Sequence, residues 1–394
     1  MPAFETLRAA GYSDYGGASL GEVLATARRV RGHSAVSWWT EWSRLADRIE
    51  RVATGCEDSG HVESARRAYL RASNYHRTAE FFLRQEPYDA RALGSWHRAR
   101  DCFASLARLT GPTITPVEIP YQDTTLPGYL LTVDTSGQPR PTIIFHGGFD
   151  SIVEELYLAG GAAAVAHGYT CLIFDGPGQG RLIREQGLPF RPDWEHVLTP
   201  VLDWALRRPE VDADAVALMG MSLGGYLAPR AAAFEPRLAA LVAYDGMYDF
   251  YDTVRGRLPA PVLHLVEQGP DAPARAAVRA LGAMNATARW SLGNGAWTFG
   301  VAGALEFLRA MPAYTLAGGV AERISCPTLV LAAQRDHLAP GQAELLRQHL
   351  TAPASLVRFT ADEGAGEHCQ EGAMAVLHQR VFDWLDETLE HGGR

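Results

Sequence analysis

Cysteine is scarce: five residues, Cys56, Cys102, Cys171, Cys326 and Cys369, in a chain of 394. They are scattered, odd in number and without metal-ligand spacing. That excludes a disulfide scaffold, predicts no bound metal and fits reduced thiols in the cytoplasm. Long apolar runs are missing too. The most apolar stretch, "GGAAAVAHGY", is far too short to span a bilayer, and the N-terminus does not read as a signal peptide. Nor is there an excess of basic charge. With 36 basic and 45 acidic residues the formal net charge is −9, which argues against nucleic acid or an anionic membrane as the main partner. No internal repeat or low-complexity tract appears. What remains is a soluble, cytoplasmic globular protein, 47% hydrophobic, long enough for one large core and a smaller module.

The first 112 residues read as an all-helical cap. "HVESARRAYLRASNYHRTAEFFL" places Val62, Ala65, Ala68, Ala72, Tyr75, Ala79, Phe82 and Leu83 three and four apart, a helical stripe. "SAVSWWTEWSRLADRIERVA" repeats the pattern, with Ser34 as its cap. A third helix covers "DARALGSWHRARDCFASLARL" until "GPTITP" breaks it. Trp38, Trp39 and Trp42 read as core between helices, while Tyr69, Tyr75 and His76 read either as core or as facing a site. The cap carries more apolar surface than a small bundle easily buries, which predicts a homodimer.

Residues 113–394 change rhythm. "VEIPYQD" and "LPGYLLTV" read as an antiparallel pair. "PTIIFHGG", "YTCLIFDGPG", "AVALMGMS", "LAALVAYD", "PTLVLAAQRD" and "SLVRFTADEG" are apolar runs ending in Gly, Asp or Ser, mostly separated by amphipathic helices. This predicts an α/β fold: a mostly parallel eight-stranded sheet buried by helices on both faces. Chemistry in such sheets sits at the carboxyl ends of the strands. One interval, about 246–322, breaks the alternation with helices and loops and reads as a lid inserted over those ends.

At the strand end "LMGMSLGGYLAPR", Gly220-Met221-Ser222-Leu223-Gly224 matches G-x-S-x-G between a strand and a helix. Ser222 is the expected nucleophile, on a strained turn that only small neighbours allow. His368, in "DEGAGEHCQEG" beyond the last strand, is the expected base; His378, in the final helix, reads as a surface residue. Asp336, ending "PTLVLAAQRD", is the expected acid, with Asp362 as runner-up near His368 but on the wrong strand. Asp336 also suits the cap of the helix that follows it. The order Ser, Asp, His is that of α/β-hydrolases. "FHGGFD" brings the amides of Gly148 and Phe149 beside that of Leu223, an expected oxyanion hole. "DGPGQG" lacks the Lys-Ser/Thr of a phosphate loop and reads as a structural turn. Cys369 reads as a neighbour of His368, not a second nucleophile. In the lid and at its edge, Tyr244, Tyr248, Tyr251, Trp290, Trp297 and Phe299 are expected to line an aromatic chamber, with Asp249 and Asp252 as polar partners for a substrate.

At these residues the chain resembles α/β-hydrolases with an N-terminal helical cap, the group of 2,6-dihydroxypseudooxynicotine hydrolase and of the "yellowish-green" polyketide-shortening hydrolases of fungal melanin pathways. The resemblance runs from "SARRAYLRASNYHRTAEFFL" through "HGGFDS", "REQGLPFRPDWE", "GMSLGGYLAPRAA" and "RWSLGNGAWTFG" to "GAGEHCQEGA". It implies a Ser222–Asp336–His368 triad and hydrolysis of a carbon–carbon bond beside a ketone of a small-molecule substrate, without metal or organic cofactor. The same triad also serves ester, lactone and thioester hydrolases, acyl transferases and cyclases.

Overall fold

The computed structural model of the chain describes residues 2–32, 34–84 and 89–390. Eight strands form one sheet: β1 (Ile114–Tyr121), β2 (Thr124–Leu131), β3 (Arg140–His146), β4 (Thr170–Phe174), β5 (Val211–Met221), β6 (Ala240–Tyr244), β7 (Thr328–Ala333) and β8 (Ala354–Phe359). Their order is β1-β2-β4-β3-β5-β6-β7-β8. β1 and β2 make the expected antiparallel pair, β2 is also antiparallel to β4, and every other pairing is parallel.

The strands read as unbroken apolar runs because both their faces are buried. Along β3, Ile143 and Phe145 enter one core while Ile144 enters the other. Met219 against Leu218 on β5, and Leu331 against Val330 on β7, repeat the alternation. The first core is shared with the N-terminal helices and the helix Met374–Thr388, the second with the helices Glu195–Ala205, Gly224–Ala232 and Gln342–His349.

Among the described residues five α-helices precede the sheet: α1 (Pro2–Gly11), α2 (Leu20–Ala27), α3 (Ala35–Asp58), α4 (Val62–Glu80) and α5 (Ala90–Thr110). The stripes of α3, α4 and α5 were legible in the sequence; α1 and α2 were not. Ser34 caps α3 by accepting the Ser37 amide. Trp38 and Trp42 are buried, their rings 5.3 Å apart. Tyr75 and His76 belong to the core of this layer: the Tyr75 hydroxyl donates to Glu22 at 2.9 Å and His76 Nε2 lies 2.8 Å from Glu50. α5 stops at Gly111, whose φ of 84° is left-handed and easy for glycine alone.

Between β6 and β7, in the interval read as an insertion, lie the helices Ala260–Gln268, Asp271–Met284, Ala286–Thr298 and Ala304–Ala310. Among the described residues no helix is long and apolar enough to cross a membrane. His378 departs from expectation. It is buried, with Nδ1 2.8 Å from the Tyr15 hydroxyl and Nε2 2.8 Å from the Ala159 carbonyl. Burial pushes its pKa down to about 4, so it is a neutral strut between the last helix and the N-terminal layer.

Candidate active site

Ser222 follows β5 directly and holds φ at 62°, in the left-handed region. The turn is tight because the helix Gly224–Ala232 starts at once. A side chain at Gly225 would put its Cβ 2.2 Å from the Asp245 carbonyl oxygen, which is why glycine follows the serine. Ser222 Oγ lies 2.9 Å from His368 Nε2, and His368 Nδ1 lies 3.0 Å from Asp336 Oδ2. The three residues come from three strand ends, and the parallel sheet brings them together.

Asp336 holds the turn that follows it and meets the imidazole at once, but it is not the cap of the next helix, Gln342–His349, whose N-cap is Gly341. Its Oδ1 accepts the amides of Leu338 and Ala339 at 2.8 and 2.9 Å, while Oδ2 takes the imidazole. Burial alone would raise its pKa, but His368, first by charge and then by hydrogen bond, holds the carboxyl well below its usual range. Asp362 is exposed on the turn after β8. It takes no part in holding the ring.

A second carboxylate, which the sequence reading missed, grips the same nitrogen. Asp245, the residue after β6, places Oδ2 3.1 Å from His368 Nδ1 and accepts the Cys369 amide and Gln370 Nε2. Tyr244 donates its hydroxyl to the Cys369 carbonyl at 2.7 Å. Burial opposes charge on the ring, yet Asp336, with Asp245 adding a hydrogen bond, raises the His368 pKa well above its ordinary value. Ser222, Asp245, Cys369 and Gln370 all have φ between 48° and 62°. Strained backbone therefore concentrates at this cluster.

Opposite the serine, the loop after β3 presses against the elbow. A Cβ at Gly148 would stand 2.6 Å from the Leu223 amide nitrogen, so only glycine lets the two backbones meet. Of the three amides expected to face a substrate oxygen, that of Gly148 already donates to Ser151 Oγ at 3.2 Å. Those of Phe149 and Leu223 have no partner among the described residues. The "DGPGQG" turn braces this loop, with Gln179 Nε2 donating to the Gly147 and Gly148 carbonyls at 2.7 and 3.2 Å. From the insertion, Asn294 Nδ2 donates to the Phe149 carbonyl at 3.1 Å.

A cavity of about 40 Å³ lies over Ser222 and His368. Phe4, Glu5 and Arg8 of α1, Phe81, Trp290 and Glu371 are among the residues that wall it. The aromatic chamber expected from the lid is thereby corrected. Of the six aromatic residues expected to line it, Trp290 alone walls this cavity, with its ring stacked 4.5 Å from Phe81 and its Nε1 donating to the Phe81 carbonyl at 2.7 Å, and neither Asp249 nor Asp252 reaches it. Tyr244 underpins the histidine turn. Tyr248 stacks on His349, and the Tyr251 hydroxyl donates to Glu267. Asp249 accepts the Asp252 amide at the surface. Trp297 lies under Arg184. Phe299 packs in a cluster with Phe250, Phe307 and Tyr314. Tyr248, Tyr251 and Phe299 belong to the second core, which the insertion shares with the sheet.

α1 supplies a feature absent from the sequence reading. Arg8, buried, is held by Glu155 through two hydrogen bonds of 2.8 Å and by Asp150 at 3.1 Å. Glu371, also buried, sits 3.4 Å from Arg8 by one oxygen, and its Oε2 has no partner among the described residues. Burial pushes its pKa up to about 8, with Glu155 and Glu5 adding to the rise against Arg8 and Arg77.

Among the described residues, two groups have their ligand atoms near enough for a metal ion: Glu50–His76–Cys102 and Asp245–His368–Cys369. Their chemistry is poor for one. Burial pushes both thiols up, that of Cys369 to about 12, so neither offers a thiolate. Both imidazoles already hold carboxylates. The raised thiol also makes Cys369 a poor nucleophile.

Two family models match the sequence. One, described as alpha/beta hydrolase family, covers residues 142–377, and another, esterase FrsA-like, covers 21–249. Hydrolase LUC6 of a Fusarium species is 37% identical over 402 residues, spanning 98% of this chain and 96% of its own. The 20-hydroxy-prefusarin hydrolase FUS2 of Gibberella moniliformis gives the same identity and coverage. Among solved structures, 2,6-dihydroxy-pseudo-oxynicotine hydrolase superposes with a TM-score of 0.74 at 23% identity, over 97% of this chain and 96% of that one. That likeness extends through the N-terminal helices as well as the sheet.

Proposed function

Because the chain belongs to the α/β-hydrolase family, we propose that it hydrolyses the carbon–carbon bond beside a ketone, in a β-diketone or aryl ketone of a polyketide or aromatic secondary metabolite, through an acyl-enzyme on Ser222. The observation that carries the reading is the chain of hydrogen bonds from Ser222 through His368 to Asp336, facing two unpartnered amides.

In this mechanism His368 takes the Ser222 proton as Oγ attacks the ketone carbon. The Phe149 and Leu223 amides receive the oxyanion, a contribution of about 3–4 kcal/mol per donor. The adduct collapses, the C–C bond breaks, and its electron pair leaves as a stabilised carbanion that His368 protonates. Water, deprotonated by His368, then releases the acid and restores Ser222. Asp336 and Asp245 stabilise the imidazolium at each stage. This chain contains no lysine, so a ketone cannot be activated as a lysine imine, the usual alternative for cutting such a bond.

The aromatic wall of Phe4, Phe81 and Trp290 supports an aromatic substrate. A groove of about 400 Å³ between α3 and the insertion, walled by Trp38, Phe82 and Met284, ends at the same Trp290 and gives the rest of a larger molecule somewhere to lie. The full-length similarity to 20-hydroxy-prefusarin hydrolase agrees with such a substrate. One observation favours a second reading, an ester, lactone or thioester hydrolase: the esterase FrsA-like match over residues 21–249.

The test is incubation with an aryl β-diketone and a matched ester, followed by product analysis. The proposal expects the diketone to yield one carboxylic acid and one methyl ketone. Cleavage of the ester alone would transfer the assignment to the second reading.

A further inference from the structure

We infer that Glu371, in its protonated form, donates the hydrogen bond that holds the leaving-group oxygen, so that the substrate is a 1,3-dicarbonyl compound. The inference rests on the C–C hydrolase reading above.

The chemistry creates the need. When the tetrahedral adduct collapses, the electron pair of the broken C–C bond passes into an enolate, and its charge gathers on the second carbonyl oxygen. The amides of Phe149 and Leu223 serve the first oxygen, the one on the attacked carbon. The second needs a donor of its own, because an enolate leaves only as fast as its charge is stabilised. Esters do without this donor, since an alkoxide or phenoxide leaves through its own oxygen.

Glu371 stands where such a donor belongs. It is three residues beyond His368, walls the same cavity as Ser222, and is 2% exposed. Its Oε2 meets no partner among the described residues. A buried oxygen left unpaired costs about 1–3 kcal/mol, a loss that a substrate oxygen would recover.

The surrounding charges leave a proton to place. The ion pairs that reach Glu371 join Glu5, Asp150, Glu155 and Glu371 with Arg8 and Arg77, four carboxyl groups against two guanidiniums. A bound proton relieves part of this excess of negative charge. Glu155 has Arg8 and Arg77 at 2.8 Å, Asp150 has Arg8 at 3.1 Å, and Glu5 has two longer contacts, Arg77 at 3.4 Å and Arg8 at 3.5 Å, whereas Glu371 has a single contact of 3.4 Å. The proton goes to the least-paired carboxyl. The groups facing Glu371 are Glu5 and Arg8 of α1, Tyr12 of the turn that follows it, Arg77 of α4, Glu155, Tyr244 and Cys369. Burial and this carboxylate-rich ring push its pKa up to about 8, which keeps the donor in place at neutral pH. The proton stays on Glu371 throughout. The one that completes the methyl ketone comes from His368 and goes to carbon.

The experiment compares wild type, Glu371→Ala, Glu371→Gln and Ser222→Ala on benzoylacetone and on a nitrophenyl benzoate, with melting curves to confirm folding. Glu371→Ala is expected to lower kcat/KM for the diketone at least tenfold more than for the ester. Glu371→Gln, which keeps a donor and the shape, is expected to recover most of that difference. Wild-type turnover of the diketone falls as pH rises past about 8, where the carboxyl loses its proton, and the Gln variant lacks that fall. Equal losses on both substrates, or a Gln variant no better than Ala, would overturn the inference while the C–C reading stands, provided Ser222→Ala abolishes diketone cleavage. A wild type that cleaves only the ester overturns both.

Discussion

Asp245 Oδ2 stands 3.1 Å from Nδ1 of His368, the nitrogen that Asp336 Oδ2 approaches to 3.0 Å. One imidazole is thus held by carboxylates from two neighbouring strand ends. Asp245 also takes the amide of Cys369, the residue after the histidine, so it fixes the turn that carries the ring as well as the ring itself.

Neutralising Asp245 tests its electrical share. An anion beside the imidazolium favours the charged ring, so Asp245→Asn lowers the His368 pKa. The neutral, proton-accepting form then survives to lower pH, and the acid limb of kcat/KM moves down while the plateau falls by about tenfold. A pH–rate profile reads both effects. An unmoved acid limb would show that Asp245 is only a scaffold for the turn.

Arg8 ties α1 to the sheet, and its loss leaves Glu155 and Asp150 facing each other without their main cation. Breaking a buried pair in this way costs about 3–5 kcal/mol, so Arg8→Leu is expected to melt several degrees below wild type at pH 7. The sign with pH follows from Asp150. Burial works against its charge, but Arg8, then Arg84 and Arg77, outweigh it and hold the pKa down at about 2. That depressed carboxyl contributes stability above its unfolded value of about 4. The gap between the variants should therefore be full above about pH 4 and close as pH falls toward 2. Thermal melts from pH 2 to 8 measure it, and a gap independent of pH would contradict the account.

The two tryptophans of the helix Ala286–Thr298 should behave differently. Trp290 walls the cavity and stacks on Phe81, whereas Trp297 packs under Arg184 on the other side. Trp290→Ala is expected to raise KM for an aryl diketone about tenfold or more, and Trp297→Ala to lower the melting temperature with KM changed less than threefold. Matching KM effects in the two variants would mean the wall has been misread.

What the sequence made legible was local. Each strand was an apolar run closed by a turn residue, and Ser222, Asp336 and His368 each sat at such a closure, so chain order alone assembled them. Asp245 closes "LAALVAYD" in the same way, but its turn toward His368 depends on a left-handed backbone and on a loop more than a hundred residues later. The helix bearing Trp290 and Trp297 has small residues around its circumference, so its periodicity names no inward face. Aromatic content marked the insertion as apolar without saying which rings meet the sheet and which meet the cavity. Glu5, Arg8 and Glu371 were hidden for another reason: charged residues on short segments read as solvated until tertiary packing shows what they are buried against.

The account stands on Ser222 as the nucleophile, and the most direct measurement is turnover by Ser222→Ala with the intact mass of wild type taken during steady state. Alanine fits the elbow, so the variant should fold with an unchanged melting temperature while kcat on the preferred substrate falls by about ten-thousandfold. Wild type quenched in acid should carry the mass of one acyl group on the peptide containing Ser222, and the variant none. A folded Ser222→Ala that keeps more than about a hundredth of wild-type kcat, or an acyl group found elsewhere in the chain, would contradict it.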